Sequence, residues 1–219
     1  AGGGRVWPLE QLQRVGEWAH SNGVKVHMDG ARLFNACVAG NYSAAEAAGA
    51  CDTVSICFSK GLGCPMGSIL VGSEEEIYWG RRGRKLFGGA MRQSGIVAAA
   101  AVYAIENHVE RMAEDHENAR VFARGLAEIE GLEINPEDVE SNLVFFHIDP
   151  ERGDATQLAV RAAEEGVKIG ASGPQRLRAC THLDVTREDV LEAVEIIGGC
   201  VAQGVGHLVG SATGPYARG

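Results

Sequence analysis

Short apolar runs at residues 24–29, 53–58 and 67–72 alternate with stretches of helical periodicity, and this alternation constrains the fold more than any other feature of the chain. Brief strands joined through helices predict βαβ units and therefore an α/β architecture. Residues 8–21 predict a helix with Leu9, Leu12, Val15, Trp18 and Ala19 near one face, proline in its first turn and Asn22-Gly23 as its stop. Shorter helical pieces fall at 31–38 and 43–48. Ser73-Glu74-Glu75-Glu76 reads as a capping box that opens the helix after the third strand.

The second half has a different texture. Residues 95–105 are rich in alanine and predict a helix buried between domains, after which charge rises sharply from Glu106 to Arg124. A domain boundary is therefore expected near Ile105. Beyond it the pattern gives a long helix, a strand at 142–148, a helix opening at Asp154-Ala155-Thr156-Gln157, a strand at 176–181 and a last helix from Thr186. Residues 1–105 are thus expected to belong to a large domain, 106–203 to form a small α+β domain, and 204–219 to form a poorly ordered glycine-rich tail.

A formal charge of −9 over 219 residues argues against nucleic acid and anionic membrane as principal partners and favours a small-molecule substrate. The six cysteines (Cys37, Cys51, Cys57, Cys64, Cys180 and Cys200) contain no C-x-x-C pair and lie mostly in apolar runs, which predicts reduced thiols in a cytoplasmic protein. No secretory leader, membrane-spanning run or internal repeat is legible. The histidines lack metal-ligand spacing, so no metal is assigned. His27 reads as a hydrogen-bonded core histidine, and the run Arg81-Arg82-Gly83-Arg84-Lys85 as a solvated helix face.

Two motifs carry chemistry. Ser59-Lys60-Gly61-Leu62 follows the apolar run 53–58, and an ammonium at the end of a buried strand costs several kcal/mol, roughly the penalty for an unpaired charge in an apolar site, unless it is paired or modified. Burial also frees such an amine to attack a carbonyl, the requirement for a Schiff base. Upstream, His27-Met28-Asp29-Gly30-Ala31-Arg32 ends another strand in a carboxylate, a glycine turn and an arginine. Ligands of open α/β sheets bind beyond the carboxyl ends of the strands, so Asp29 and Lys60 are expected to converge on one pocket. A lysine for the imine and a carboxylate for the ring nitrogen are the two protein groups that pyridoxal phosphate needs.

Together with Gly88-Gly89-Ala90-Met91-Arg92-Gln93, these motifs resemble, in order and spacing, the low-specificity L-threonine aldolases, which are β-eliminating lyases of fold type I. The resemblance runs from about Gly3 to about Cys200. It implies a partial aspartate aminotransferase-like large domain followed by a small α+β domain, and a homo-oligomer, dimeric or tetrameric when full length. It implies pyridoxal 5'-phosphate as cofactor, with Lys60 as the catalytic lysine and Asp29, Arg32, Lys85 and Arg92 as cofactor contacts. Lys85 and Arg92 match positions that reach across a subunit interface towards the phosphate. Arg32 and Arg178 match substrate-binding positions; Arg176 would serve equally on chemistry, and spacing to Thr181-His182 selects Arg178.

The implied reaction is aldol cleavage of L-threonine or L-allo-threonine, a β-hydroxy amino acid, to glycine and acetaldehyde. A lyase for bulkier β-hydroxy amino acids is the nearest enzyme alternative. Ala1-Gly2-Gly3-Gly4 carries no initiator methionine, and the segment after it resembles the interior of a complete aldolase, so the chain is expected to be a carboxyl-terminal portion. The glycine-rich phosphate loop would then lie outside it. A catalytically dead truncated product that retains only a subunit-contact role is the alternative of a different class.

Overall fold

The computed structural model describes residues 3–205, which divide into two units, Val6–Ala113 and a second made of residues 3–5 with 114–205. The first unit opens with helix α1 (Leu9–Ser21), which starts after Pro8 in an extended conformation, so that the proline caps the helix from outside. Strand β1 (His27–Asp29), helices α2 (Leu33–Gly40) and α3 (Ala44–Ala48) and strand β2 (Thr53–Cys57) form a βαβ unit. The two strands are parallel, with His27 opposite Thr53 and Asp29 opposite Ser55. Strand β3 (Ser68–Gly72) returns antiparallel to β2 and completes the order β1-β2-β3. Helices α4 (Glu74–Leu86) and α5 (Gly95–Asn107) follow, α4 behind the expected capping box between Ser73 and Glu76.

Two expectations about helix faces are corrected here. Gly16 and Ala19 are the buried residues of α1, while Val15 is exposed and Trp18 is 67% exposed. A Cβ at Gly16 would lie 2.4 Å from the Ala50 carbonyl oxygen, so close backbone approach, rather than large side chains, sets the contact face of this helix. In α5 only Ala101 and Ala104 are buried, and Ile96 is 79% exposed. Alanine favours helix whether or not it is buried, so an alanine-rich run fixes the conformation and leaves the burial open. The boundary expected at Ile105 falls inside this helix, eight residues before the division at Ala113.

In the second unit, helix α6 (Met112–Ala127, from Glu114 on) precedes strand β4 (Leu132–Glu133), a 3-10 turn at Pro136–Asp138 and strand β5 (Leu143–Ile148). Helix α7 (Ala155–Glu164), strands β6 (Gly170–Ala171) and β7 (Arg176–Cys180), and helix α8 (Arg187–Gln203) complete it. The sheet is antiparallel throughout in the order β4-β5-β7-β6. Val144, Phe146, Ile148 and Leu177 are buried in a core with Phe122 and Leu126 of α6, Leu158 of α7 and Ile197 and Val201 of α8. Strand alternation therefore puts Phe145, His147, Arg176 and Arg178 on the opposite face.

Side-chain caps fix the helix starts: Asp154 Oδ1 accepts from the Gln157 backbone N–H, and Thr186 and Asp189 close a capping box on α8. Arg5 pairs with Glu140, and the Ser141 hydroxyl donates to the Gly4 carbonyl, which is why the first residues belong to this unit. Of the expected tail, Gly204 ends α8 and Val205 donates to the Arg152 carbonyl; the rest lies outside the described residues. Among the described residues no helix is long and apolar enough to cross a membrane.

Candidate functional site

Because β1 and β2 are parallel and adjacent, both chains leave the sheet at the same edge, β1 from Asp29 and β2 towards Lys60. The sequence expectation was that Asp29 and Lys60 meet in one pocket; the parallel register gives their strands a common exit. A Cβ on Gly30 would lie 3.0 Å from the Ser55 carbonyl oxygen and 3.1 Å from Val54 Cγ1, so glycine lets the chain turn tightly across β2. The turn is closed by the Leu33 N–H on the Gly30 carbonyl at 2.9 Å. The Ala31 N–H donates to Asp29 Oδ1 at 3.2 Å, and among the described residues this is the only hydrogen bond the exposed Asp29 carboxylate makes. The other carboxylate oxygen is open to a ligand.

Arg32 stands at the N-cap of α2. Its Nε is buried and, among the described residues, has no hydrogen-bond partner. A guanidinium donor left in that state costs roughly 1–3 kcal/mol or more, and it is satisfied most cheaply by an anionic or carbonyl oxygen that enters the site.

Lys60 sits in the loop from β2 to β3. The Phe58 N–H reaches the Gly67 carbonyl, the Cys64 N–H the Phe58 carbonyl and the Gly63 N–H the Lys60 carbonyl, at 2.8 to 3.0 Å. Gly61 packs on the buried Asn35 of α2: a Cβ there would lie 2.5 Å from Asn35 Oδ1. Lys60 itself is half-buried, and among the described residues its ammonium has no hydrogen-bond or ion-pair partner.

His27 differs from its sequence reading. It is exposed rather than in the core, with Nδ1 2.9 Å from Thr53 Oγ1. Strand alternation turns Met28 inward and puts His27 on the same face as Asp29. Lys85 in the last turn of α4 and Arg92 in the loop before α5 are exposed, and their charged groups have no ionic or hydrogen-bonded partner among the described residues. Their neighbours Leu86 and Phe87 are also largely exposed.

In the second unit the two candidate arginines separate. Arg176 lies with its guanidinium carbon 4.3 Å from the centroid of the Phe145 ring, a cation–π contact. Arg178, opposite Phe145 in the ladder, is exposed, and its guanidinium is unpaired among the described residues. Among the described residues Arg178 is thus the less engaged of the two forks. Sequence reasoning did not anticipate Asn35, although a lone amide within Leu33-Phe34-Asn35-Ala36-Cys37-Val38 was a visible signal. Among the described residues no three His, Cys, Asp or Glu side chains gather into a metal-binding group.

The family model for beta-eliminating lyases matches residues 1–149. The chain belongs to the beta-eliminating lyase family. It is 43% identical over 189 residues to the low specificity L-threonine aldolase of Escherichia coli K12, covering 86% of this chain and 55% of that protein. To the low-specificity L-threonine aldolase 1 of Arabidopsis thaliana it is 39% identical, over 86% of this chain and 53% of the relative. The chain spans about half the length of the curated relatives it matches. In structure it resembles the threonine aldolase of Leishmania major, with a TM-score of 0.71 at 19% identity over 92% of this chain and 59% of that one. The ornithine aminotransferase of Toxoplasma gondii shares the fold at a TM-score of 0.63 and 17% identity, over 90% of this chain and 47% of that one. The chain therefore has the mixed α/β fold of part of these fold-type I structures.

Proposed function

We propose that these residues serve a pyridoxal-phosphate-dependent lyase that cleaves L-threonine and L-allo-threonine to glycine and acetaldehyde. Family membership and the E. coli and Arabidopsis relatives support the reaction class. One observation carries the cofactor: an unpaired half-buried lysine, a carboxylate with an open oxygen and a buried orphan guanidinium nitrogen leave one edge of the sheet together. An aldehyde, a basic ring nitrogen and an oxygen acceptor are the complements of those three groups, so the site fits the cofactor.

When bound, the cofactor supplies an electron sink for the bond to be broken. Lys60 is the point of covalent attachment. The Asp29 carboxylate would hold a proton on the ring nitrogen. Arg32 Nε donates to an oxygen of the cofactor or of the substrate carboxylate, and the Arg178 fork holds the substrate carboxylate. Lys85 and Arg92 act on the phosphate across a subunit contact in a homo-oligomer. The exposed Leu86, Phe87 and Ile96 beside them support that surface. All six cysteines are unpaired, in keeping with a cytoplasmic setting.

The test assays the 219 residues alone and joined behind the amino-terminal portion of the E. coli relative. Borohydride reduction with pyridoxal phosphate followed by peptide mapping is expected to label Lys60 in the joined protein, and Lys60→Ala to abolish both label and glycine release. The 219 residues alone are expected to show neither tight cofactor binding nor cleavage. Label on Lys25, Lys85 or Lys168 instead would refute the Lys60 assignment.

A further inference from the structure

The loop that carries Lys60 is tied to α5 by a side chain outside the motifs. His108 is the C-cap of α5, its own N–H donating to the Ala104 carbonyl at 2.8 Å. Its ring is part-buried, edge-on to Tyr103 with centroids 5.4 Å apart and planes at 86°. Nδ1 lies 2.7 Å from the carbonyl oxygen of Leu62. A carbonyl only accepts, so Nδ1 carries the hydrogen, and the tautomer is fixed by the contact. Leu62 is itself buried, and the hydrogen bonds that the loop backbone makes to itself involve the carbonyls of Phe58, Lys60 and Gly67. The His108 bond therefore satisfies a carbonyl that those bonds leave over. A second tie, the Cys64 thiol on the Ala100 carbonyl at 3.4 Å, runs to the same helix.

We infer that His108 is a positioning residue for Lys60: from the end of α5 it fixes the loop two residues beyond the lysine and so sets where the amine stands. The inference rests on the reading of Lys60 as the covalent attachment point. Backbone bonds close the loop on itself, but among the described residues the hydrogen bonds that anchor it to α5 are those of His108 and Cys64. Loss of the stronger one leaves the turn folded on average, lets its own bonds at Gly63 and Cys64 open more often, and loosens its placement. Attachment should then slow without loss of the fold.

The experiment uses three variants of the joined protein that differ in where a donor can be placed. The amide nitrogen of asparagine falls near Nδ1 of histidine, so His108→Asn keeps the donor. The nitrogen of His108→Gln falls near Nε2 and misses the carbonyl, and His108→Ala has none. Amide hydrogen exchange without cofactor should be about tenfold faster at Gly63 and Cys64 in the Gln and Ala variants, the equilibrium value of one lost hydrogen bond. His108→Asn should match the parent. The rate of borohydride-trapped attachment at Lys60 should fall in the same order, with kcat reduced and the KM for the amino acid unchanged.

Equal exchange in all four proteins, an Asn variant as fast as Ala, or acceleration spread evenly over residues 6–113 would overturn the inference. If the exchange pattern holds but the parent carries no label at Lys60, the attachment reading fails and the loop tie stands. If Lys60 is labelled at the same rate in every variant, the positioning role fails and the attachment reading stands.

Discussion

Acid should destabilise the second unit through one histidine. His116 on α6 is 2% exposed, and burial, helped by the positive charge of Arg120 one turn along, pushes its pKa down from 6.5 to about 4. Between those values the unfolded chain binds a proton that the native core refuses, so this stabilisation is present above about pH 6.5 and is lost as pH falls towards 4. A tenfold difference in proton affinity between the two states is worth about 1.4 kcal/mol, so moving from pH 7 to about pH 4.5 should remove about 2 kcal/mol through this residue. That is a large share of the stability of a small domain.

In this unit Asp189 adds acid sensitivity of its own, its pKa lowered by backbone and side-chain hydrogen bonds from Thr186, while in the first unit Lys25 and Ser73 hold Glu76 down to about 2 and hydrogen bonds lower Asp52. Comparison with His116→Gln isolates the histidine. The assay is urea unfolding at the two pH values, followed by methyl resonances of Leu158 and Leu177, with an NMR titration of the His116 ring in the native protein. A ring that titrates near 6.5, or equal stability loss in parent and variant, would refute the reasoning.

Gly61→Ala should cost about 1–3 kcal/mol, the usual range for overpacking, because its Cβ would meet Asn35 Oδ1 at 2.5 Å; Asn35→Ala should relieve part of the loss, and an unchanged urea midpoint for Gly61→Ala would contradict the packing. Asp29→Asn should retain some cofactor by absorbance and lose turnover, since a neutral amide does not hold the ring proton; parent-like turnover would remove Asp29 from that role. Arg178→Lys should raise KM by the value of about one charged hydrogen bond, at most roughly 3 kcal/mol, while cofactor retention stays constant. A change confined to cofactor affinity would shift the carboxylate assignment to Arg176.

The strands, caps and motif positions were legible because each depends on neighbours within a few residues. Thr53–Cys57, Leu143–Ile148 and Arg176–Cys180 are runs long enough for strand character to show. The Ser73 box and the Asp154 cap on Gln157 are complete within four residues. By contrast Leu132–Glu133 and Gly170–Ala171 are two-residue strands, too short for any period, and exist because β5 and β7 offer them edges.

The order and spacing of the Asp29, Arg32 and Lys60 motifs, on which the family resemblance rests, were legible in the sequence, because a motif is a local pattern of residue types. Only the tertiary structure decided which partners those residues have. That, among the described residues, Arg32 Nε is buried without a partner and Arg178 is free while Arg176 is occupied by Phe145, and that His108 reaches Leu62 from 46 residues away, are facts about chain segments brought together in space. Trp18 shows the same division: periodicity put it near the apolar face of α1, but Gly16, which the sequence reading did not name, faces inward because the backbone at Ala50 approaches it closely. Local propensity acts through adjacent residues and can be read in order along the chain, whereas burial and partner choice depend on contacts between distant segments that no local pattern encodes.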